Sequence, residues 1–282
     1  MAVIPTIEYE TTLQERLSAP MVWKEVCLVK YTDSGIWRNP YLTDATVGTG
    51  TRGTGYTPYA VATTDDTVSI TDYVYSAPVI DDADLAQKTF SDWMEIADNV
   101  GVMLNEKMET AMLAEHAQWT NFDNASIGGS AGNITVATSN IKKIITSIKR
   151  EIREAGGGEL MARNGAFIIW READFELVET LASSEGFNTA DDALKNGIKQ
   201  GFKYMGVEHY SSSKHASGHV FAGVKKAFAV GVCKSTYGKV KTIVNPVVSG
   251  AQISGIGLES RIDSKFKAWT KMVPVLFDVL VA

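Results

Sequence analysis

Ser130 stands in the pattern Gly128-x-Ser130-x-Gly132, and His209, His215, His219 and Cys233 are of the types that ligate metals or move protons. A nucleophile elbow of that pattern needs a strand before the serine and a helix directly after it, so that a strained turn presents the hydroxyl. Here the residues upstream, NFDNASIG, are polar turn formers, and the NITVAT that follows is β-like. A serine hydrolase using Ser130 with a partner such as His209 is therefore kept as the alternative from another function class. The three histidines and Cys233 match no zinc spacing, so ordinary core or surface side chains are expected. His209 and His219 fall in predicted strands and His215 in the turn SSSKHASG. Gly48, Gly50 and Gly53 fit Gly-x-Gly-x-x-Gly, yet no strand leads in and no helix follows, so the geometry that cradles phosphates is missing. Nothing combines a nucleophile, a base and an orienting group. No catalytic, cofactor-binding or metal-binding residue is assigned.

Charge is equally restrained. Asp81, Asp82 and Asp84 read as caps of a helix beginning near Asp84, where the helix dipole favours acidic groups. Lys142, Lys143, Lys149, Arg150 and Arg153 lie on the polar side of an amphipathic helix; a solvated face is the plain reading and contact with DNA or an acidic partner the functional one. With 27 Lys and Arg against 33 Asp and Glu, the net charge is −6, which argues against a dedicated nucleic-acid binder. Cys27 and Cys233 form no redox motif and read as reduced thiols. No apolar run approaches the ~18 residues of a membrane span, and the start MAVIPTIEYE lacks the order of a secretion signal. A protein made and used in the cytoplasm is expected.

These side chains need positioning elements. Hydrophobic residues at 45% and charged residues at 21% describe a globular chain with ample material for a core. Residues 1 to about 40 carry scattered anchors (Ile4, Leu13, Leu17, Trp23, Ile36, Trp37) and read as an extended arm, with at most a short helix around Thr11 to Leu17. From Thr43 the chain turns Gly- and Thr-rich (TDATVGTGTRGTGYTP), then alternates with β-prone residues from Tyr59 to Val79. Together these predict a long two-stranded hairpin. Ordering such a segment costs roughly 1–2 kcal/mol per residue with little burial in return, so its expected role is to lie against something other than its own chain.

A long helix is predicted over 84–119 from Leu85, Phe90, Trp93, Ala97, Val100, Leu104, Met108, Ala111 and Met112. About 36 residues would make a rod of roughly 54 Å, against roughly 48 Å for a compact globule of this length. Either Gly101 breaks the rod, or the subunit is flattened and incomplete without neighbours. Beyond it, Ser139 or Asn140 caps the helix IKKIITSIKREIREAG, and Gly156, Gly157 and Gly158 stop it. A buried strand Phe167–Trp170, a helix from Glu172 to about Ser183, and strands at Tyr204–Tyr210 and His219–Cys233 follow. Further β-like runs lie near Lys239–Val248 and Gly257–Ile262, with a closing run Trp269–Val281.

The order of these parts resembles the major capsid proteins of tailed bacteriophages, of the Hong Kong 97 type. DYVYSAPVIDDADLAQKTFSDWMEIADNVGVMLNEKMETAML resembles a hairpin's return strand leading into a spine helix. GAFIIWREADFELVETL resembles the strand–helix step of the axial domain, and NGIKQGFKYMGVEHYSSS with HVFAGVKKAFAVGV its later strands. The resemblance implies an α+β Hong Kong 97-type capsid fold: N-terminal arm 1–40, E-loop hairpin 41–80, peripheral domain 81–138 with the spine helix 84–119, axial domain 139–236, a return to the peripheral domain at 237–270 and a C-terminal strand 271–282. It also implies the function of a non-enzymatic shell subunit of the virion. That subunit forms pentamers and hexamers and closes an icosahedral head around double-stranded DNA, with no cofactor and no membrane. Portal and scaffolding proteins are the implied further partners, and the host cytoplasm the place of assembly. Encapsulins, nanocompartment shells that share the fold, are the nearest alternative.

Overall fold

The computed structural model describes residues 3–19, 21–42, 49–50, 52–53, 55, 58, 63–81, 90–184, 202–248, 250–252 and 254–282. Two six-stranded sheets organise them.

The first sheet is built on one strand of 14 residues, Gly255–Ala268. Its C-terminal half pairs antiparallel with Phe228–Cys233 and its N-terminal half with Val240–Val244. Asp72–Ser76 and Val79–Asp81 pair with it as well, and Leu28–Thr32 extends the sheet in parallel beyond Phe228–Cys233. From Leu258 onward the even positions Ser260, Ile262, Ser264, Phe266 and Ala268 are buried, while the odd positions between them are partly or fully exposed. Alternate side chains point to opposite faces of a strand, so along this strand one face is covered, while Phe228–Cys233 beside it is buried on both faces up to Val232. The cover is the helix Phe90–Ala114, where Ser264 donates to the Met108 sulfur at 3.3 Å.

The second sheet is covered on both faces. Its order is Thr120–Phe122, Leu276–Leu280, His219–Val224, Ala166–Trp170, Val207–Ser211, Phe202–Tyr204. Every residue of Ala166–Trp170 is buried, which requires apolar material above and below. The helix Ile141–Glu154 supplies part of it, burying Ile141, Ile144, Ile145, Ile148 and Ile152 as its periodicity predicts. Glu172–Ser184 is helical too. Asn140 starts the isoleucine helix without a side-chain cap: its amide folds back onto Ala137 N–H and the Thr135 carbonyl. Gly156, at φ +78°, ends that helix, and Gly158 already begins a short one to Asn164.

Four expectations need correction. The arm is not extended: Val3–Ser18 is a helix, burying Tyr9, Leu13 and Leu17 at intervals of four. It lies along the long helix. Gly101 does not break that helix; a Cβ there would meet the Arg16 Cβ at 2.6 Å, so the glycine lets the two backbones approach. Arg16 pairs with Asp98 across the same contact, and Asn105 Nδ2 donates to the Arg16 carbonyl at 3.1 Å. The described long helix has 25 residues, about 37 Å, and continues as a single 3₁₀ turn, Glu115–Gln118. That described part is shorter than the roughly 48 Å globule; residues 82–89 before it lie outside the described ones. Asp81 closes a strand instead of capping a helix; Asp82 and Asp84 lie outside the described residues. The run His219–Cys233 is two strands in different sheets, split where Lys226 adopts φ +63°.

Candidate functional site

The serine motif has no elbow. Gly128, at φ +77°, ends a short 3₁₀ turn, and the chain reaches Ile134 through turns and bends without a strand before Ser130 or a helix after it. His209 is fully buried, with both ring nitrogens engaged. Nδ1 accepts from Trp170 Nε1 at 2.9 Å, and Nε2 lies 3.2 Å from the Tyr204 carbonyl. Burial drops its pKa to about 4 and that of His215 likewise, so both are neutral core rings. Cys233 lies 3.1 Å from Ser235 Oγ. Buried Cys27 contacts the Met112 sulfur, and both thiols are free. Gly50 and Gly53 fall among the described residues; Gly48 lies outside them.

The structure does bring His219 to other metal-ligand types, though not to those paired with it by sequence. Its Nδ1 stands 2.8 Å from Asp278 Oδ2, and its ring stacks on His116 at 3.9 Å. His116 and Asp278 carry no local signal, since neither stands in a spaced motif.

The larger feature is the open face of the first sheet. Tyr73 and Tyr75 on that face are 53% and 63% exposed; Val244, opposite Ile256, belongs to the other face at its far end and is 72% exposed. Tyr73 and Tyr75 stand opposite Asp263 and Arg261 in register. Arg261 lies 4.0 Å over the Tyr73 ring and pairs with Asp263 at 2.6 Å. Single exposed apolar side chains are normal on a protein surface, but a gathering of large ones marks an interaction site. The Tyr73 and Tyr75 rings lie 5.8 Å apart on this face, while Val247, 69% exposed, belongs to the separate two-stranded ribbon Val247–Val248 with Ala251–Gln252.

The hairpin is the second feature. Its outgoing strand is Ile36–Leu42, upstream of the Gly- and Thr-rich run, paired with Thr63–Ser69. Its end lies largely outside the described residues. Its base is anchored at home: Trp37 meets Trp269 edge-on at 4.8 Å, and Val68 is buried with Ala229 and Trp269. A Cβ on Gly231 would touch Val68 and Ile70 at 3.4 Å, so a side chain there would crowd the seat. Asp66 accepts from Lys267 Nζ at 2.6 Å and from the Thr270 N–H at 2.7 Å. Burial pushes its carboxyl up, but the Lys267 ammonium and the Thr270 bonds outweigh it and hold the pKa below the ordinary value. The expectation that this segment leans on something other than its own chain thus fails for the base.

The basic helix face opens onto a cavity of about 430 Å³ lined by Lys149, Arg153, Arg163, Lys203 and Glu208. Lys149 donates to the Met205 carbonyl, Lys225 pairs with Glu208, and Arg150 is held by Glu151 and Glu154. The remaining cations make a modest positive lining. Among the described residues, no helix is long and apolar enough to cross a membrane.

A sheet packed on a long helix, a second sheet buried on both faces and a hairpin seated on the first define an α+β fold of the Hong Kong 97 capsid type. A structure of Mycobacterium phage Che8 matches with a TM-score of 0.60 at 12% identity over 92% of this chain and 97% of that one. The capsid of Ralstonia phage GP4 matches at 0.58 with 8% identity over 91% and 87%. A virus-like particle from Pyrococcus furiosus matches at 0.59 with 10% identity over 98% of this chain and all of that one. No family model and no curated protein matches the sequence.

Proposed function

We propose that this chain is the major capsid protein of a tailed phage, a shell subunit without catalytic activity that assembles into an icosahedral head around double-stranded DNA. The observation that carries this reading is a likeness in fold to shell proteins, running from the first helix to the last strand. The open face of the first sheet supports it independently. Tyr73 and Tyr75 gain burial when a sister copy covers them, at roughly 25 cal/mol per Å², and repeated modest contacts of this kind close symmetric shells. The hairpin end then reaches a neighbouring subunit from a base fixed on its own body.

Within this reading, the long helix and the first sheet form the peripheral domain and the second sheet the axial domain. Phe228–Cys233 falls with the peripheral part although it lies inside 139–236, because its pairing is with Leu28–Thr32 and Gly255–Ala268. Pentamers and hexamers form around the axial loops. Portal and scaffolding proteins are the further partners, and the basic cavity offers DNA weak, non-specific contact in a virion assembled in the host cytoplasm. The test is negative-stain microscopy of the expressed chain at high concentration, alone and with a scaffolding protein. Closed shells or capsomer rings are expected, and a chain that stays a single compact subunit in both overturns the reading. The full-length overlap with the Pyrococcus furiosus particle favours a second reading, a nanocompartment shell. Particles that carry protein cargo instead of nucleic acid would select it.

A further inference from the structure

We propose that His116, His219 and Asp278 form a binding site for a divalent transition-metal ion of the zinc class. His116 lies in the 3₁₀ turn that ends the long helix, His219 opens the strand His219–Val224, and Asp278 sits mid-strand in Leu276–Leu280. Phe221 stands directly opposite Asp278 in the antiparallel register. His219, two residues from Phe221, therefore shares its face of the sheet with Asp278. Phe221 stacks on Trp119 at 3.6 Å, which brings the end of the long helix, and His116 with it, over the same spot.

The ligand atoms converge. Asp278 lies 2.8 and 3.0 Å from His219 Nδ1 through its two oxygens, and Oδ2 lies 3.8 Å from His116 Nδ1. One ligand atom from each of the three residues falls within 4.8 Å of the others. Zinc bound at about 2.0–2.1 Å to nitrogen and oxygen in a tetrahedron sets ligand atoms roughly 3.3 Å apart. The first contact must open and the second close by about half an ångström, and the two imidazoles must turn out of their stack, since each binds a metal in its ring plane. Charge favours occupancy. Asp278 is 2% exposed, and among the described residues no lysine or arginine pairs with it; its polar neighbours are the two imidazoles. A buried carboxylate needs a compensating cation. A dication held by two neutral nitrogens and one carboxylate supplies it, and imidazole ligands select zinc, cobalt or nickel over magnesium or calcium. Both rings are partly exposed, at 30% and 26% of the side chain, leaving a side open for water as the fourth ligand. Such an ion would clip the end of the long helix to the second sheet.

The experiment uses the full chain after chelator treatment and dialysis. Titration calorimetry with zinc chloride is expected to show one site per chain, and cobalt(II) the intense visible absorption of a four-coordinate ion. Magnesium chloride should give neither. His116→Phe keeps the ring stack and removes one ligand, and His219→Asn keeps a hydrogen-bond donor to Asp278; both should lose the site while circular dichroism stays unchanged. Zinc binding that is equal in wild type and both variants, or absent from the folded wild type, overturns the proposal.

Discussion

The two sheets solve the same problem in opposite ways. In the second, Ala166–Trp170 is buried at every position, and even its polar ring, His209, finds partners for both nitrogens within the subunit. In the first, Ile262 and Phe266 are buried on one face and the hairpin base covers Ala229 and Gly231 on the other, while among the described residues nothing covers Tyr73 and Tyr75. A sheet that closes on itself holds the fold of one subunit; a sheet left open over part of one face holds apolar area in reserve for another subunit. Mutations should therefore separate stability from association according to which sheet they strike.

The largest effect on stability is expected in the closed sheet. Trp170→Ala removes a fully buried indole and leaves His209 Nδ1 without its donor. Cavities of this kind cost about 3–5 kcal/mol, read as a lower denaturation midpoint of the unassembled subunit. A loss under about 1 kcal/mol would show that this sheet is not the stability centre.

Asp66→Asn strikes the hinge between the two regimes. Losing a charged hydrogen-bond acceptor costs about 1.5–3 kcal/mol, but locally: hydrogen exchange should rise in Thr63–Ser69 and Ile36–Leu42 and stay unchanged in Ala166–Trp170. Acid gives the same result reversibly. A carboxylate held below its unfolded value of ~3.9 contributes stability that is full above that value and lost as pH falls through the folded one. The wild-type hairpin base should therefore stay seated at neutral pH and loosen only in acid below the ordinary carboxylate range, whereas the variant shows no such step.

Gly101→Leu tests the seam between the N-terminal helix and the long helix. The new side chain meets the Arg16 Cβ and the Leu13 methyl, and overpacking of this sort costs about 1–3 kcal/mol. Limited proteolysis should then cut within Val3–Ser18 first. Cleavage unchanged from wild type would mean that the two helices do not need close approach.

The parts that were legible in the sequence are those whose burial repeats without interruption. Five isoleucines at helical spacing mark Ile141–Glu154, and Leu104, Met108 and Met112 mark the long helix. The 14-residue strand was read only over Gly257–Ile262, because Ser260 and Ser264 occupy buried positions and hide the alternation that Ile262, Phe266 and Ala268 continue. Tyr9, Leu13 and Leu17 are spaced by four, yet the short anchor list without Tyr9 showed no period. The turn at Lys225–Ala227 contains neither glycine nor proline, so two strands of two sheets read as one. The meeting of His116, His219 and Asp278 depends on which strand lies beside which, and no local pattern encodes that. The outward tyrosines Tyr73 and Tyr75 look like any strand residues until the covered face is known.

The smallest expected effect on the subunit is the most informative about the open sheet. Tyr75→Asp places a charge on a side chain that is already 63% exposed, so the isolated subunit should keep its stability to within about 0.5 kcal/mol. In an assembled shell the same carboxylate must be taken from water against a neighbour without a partner, a cost of several kcal/mol repeated at every copy of the contact. Sedimentation of Tyr75→Asp should therefore show folded subunits or small oligomers where the wild type forms particles, and Tyr75→Ser should shift the balance the same way by removing aromatic burial instead of adding charge. If both variants assemble as the wild type does, the open face is not where copies meet, and the contrast between the two sheets describes exposure alone.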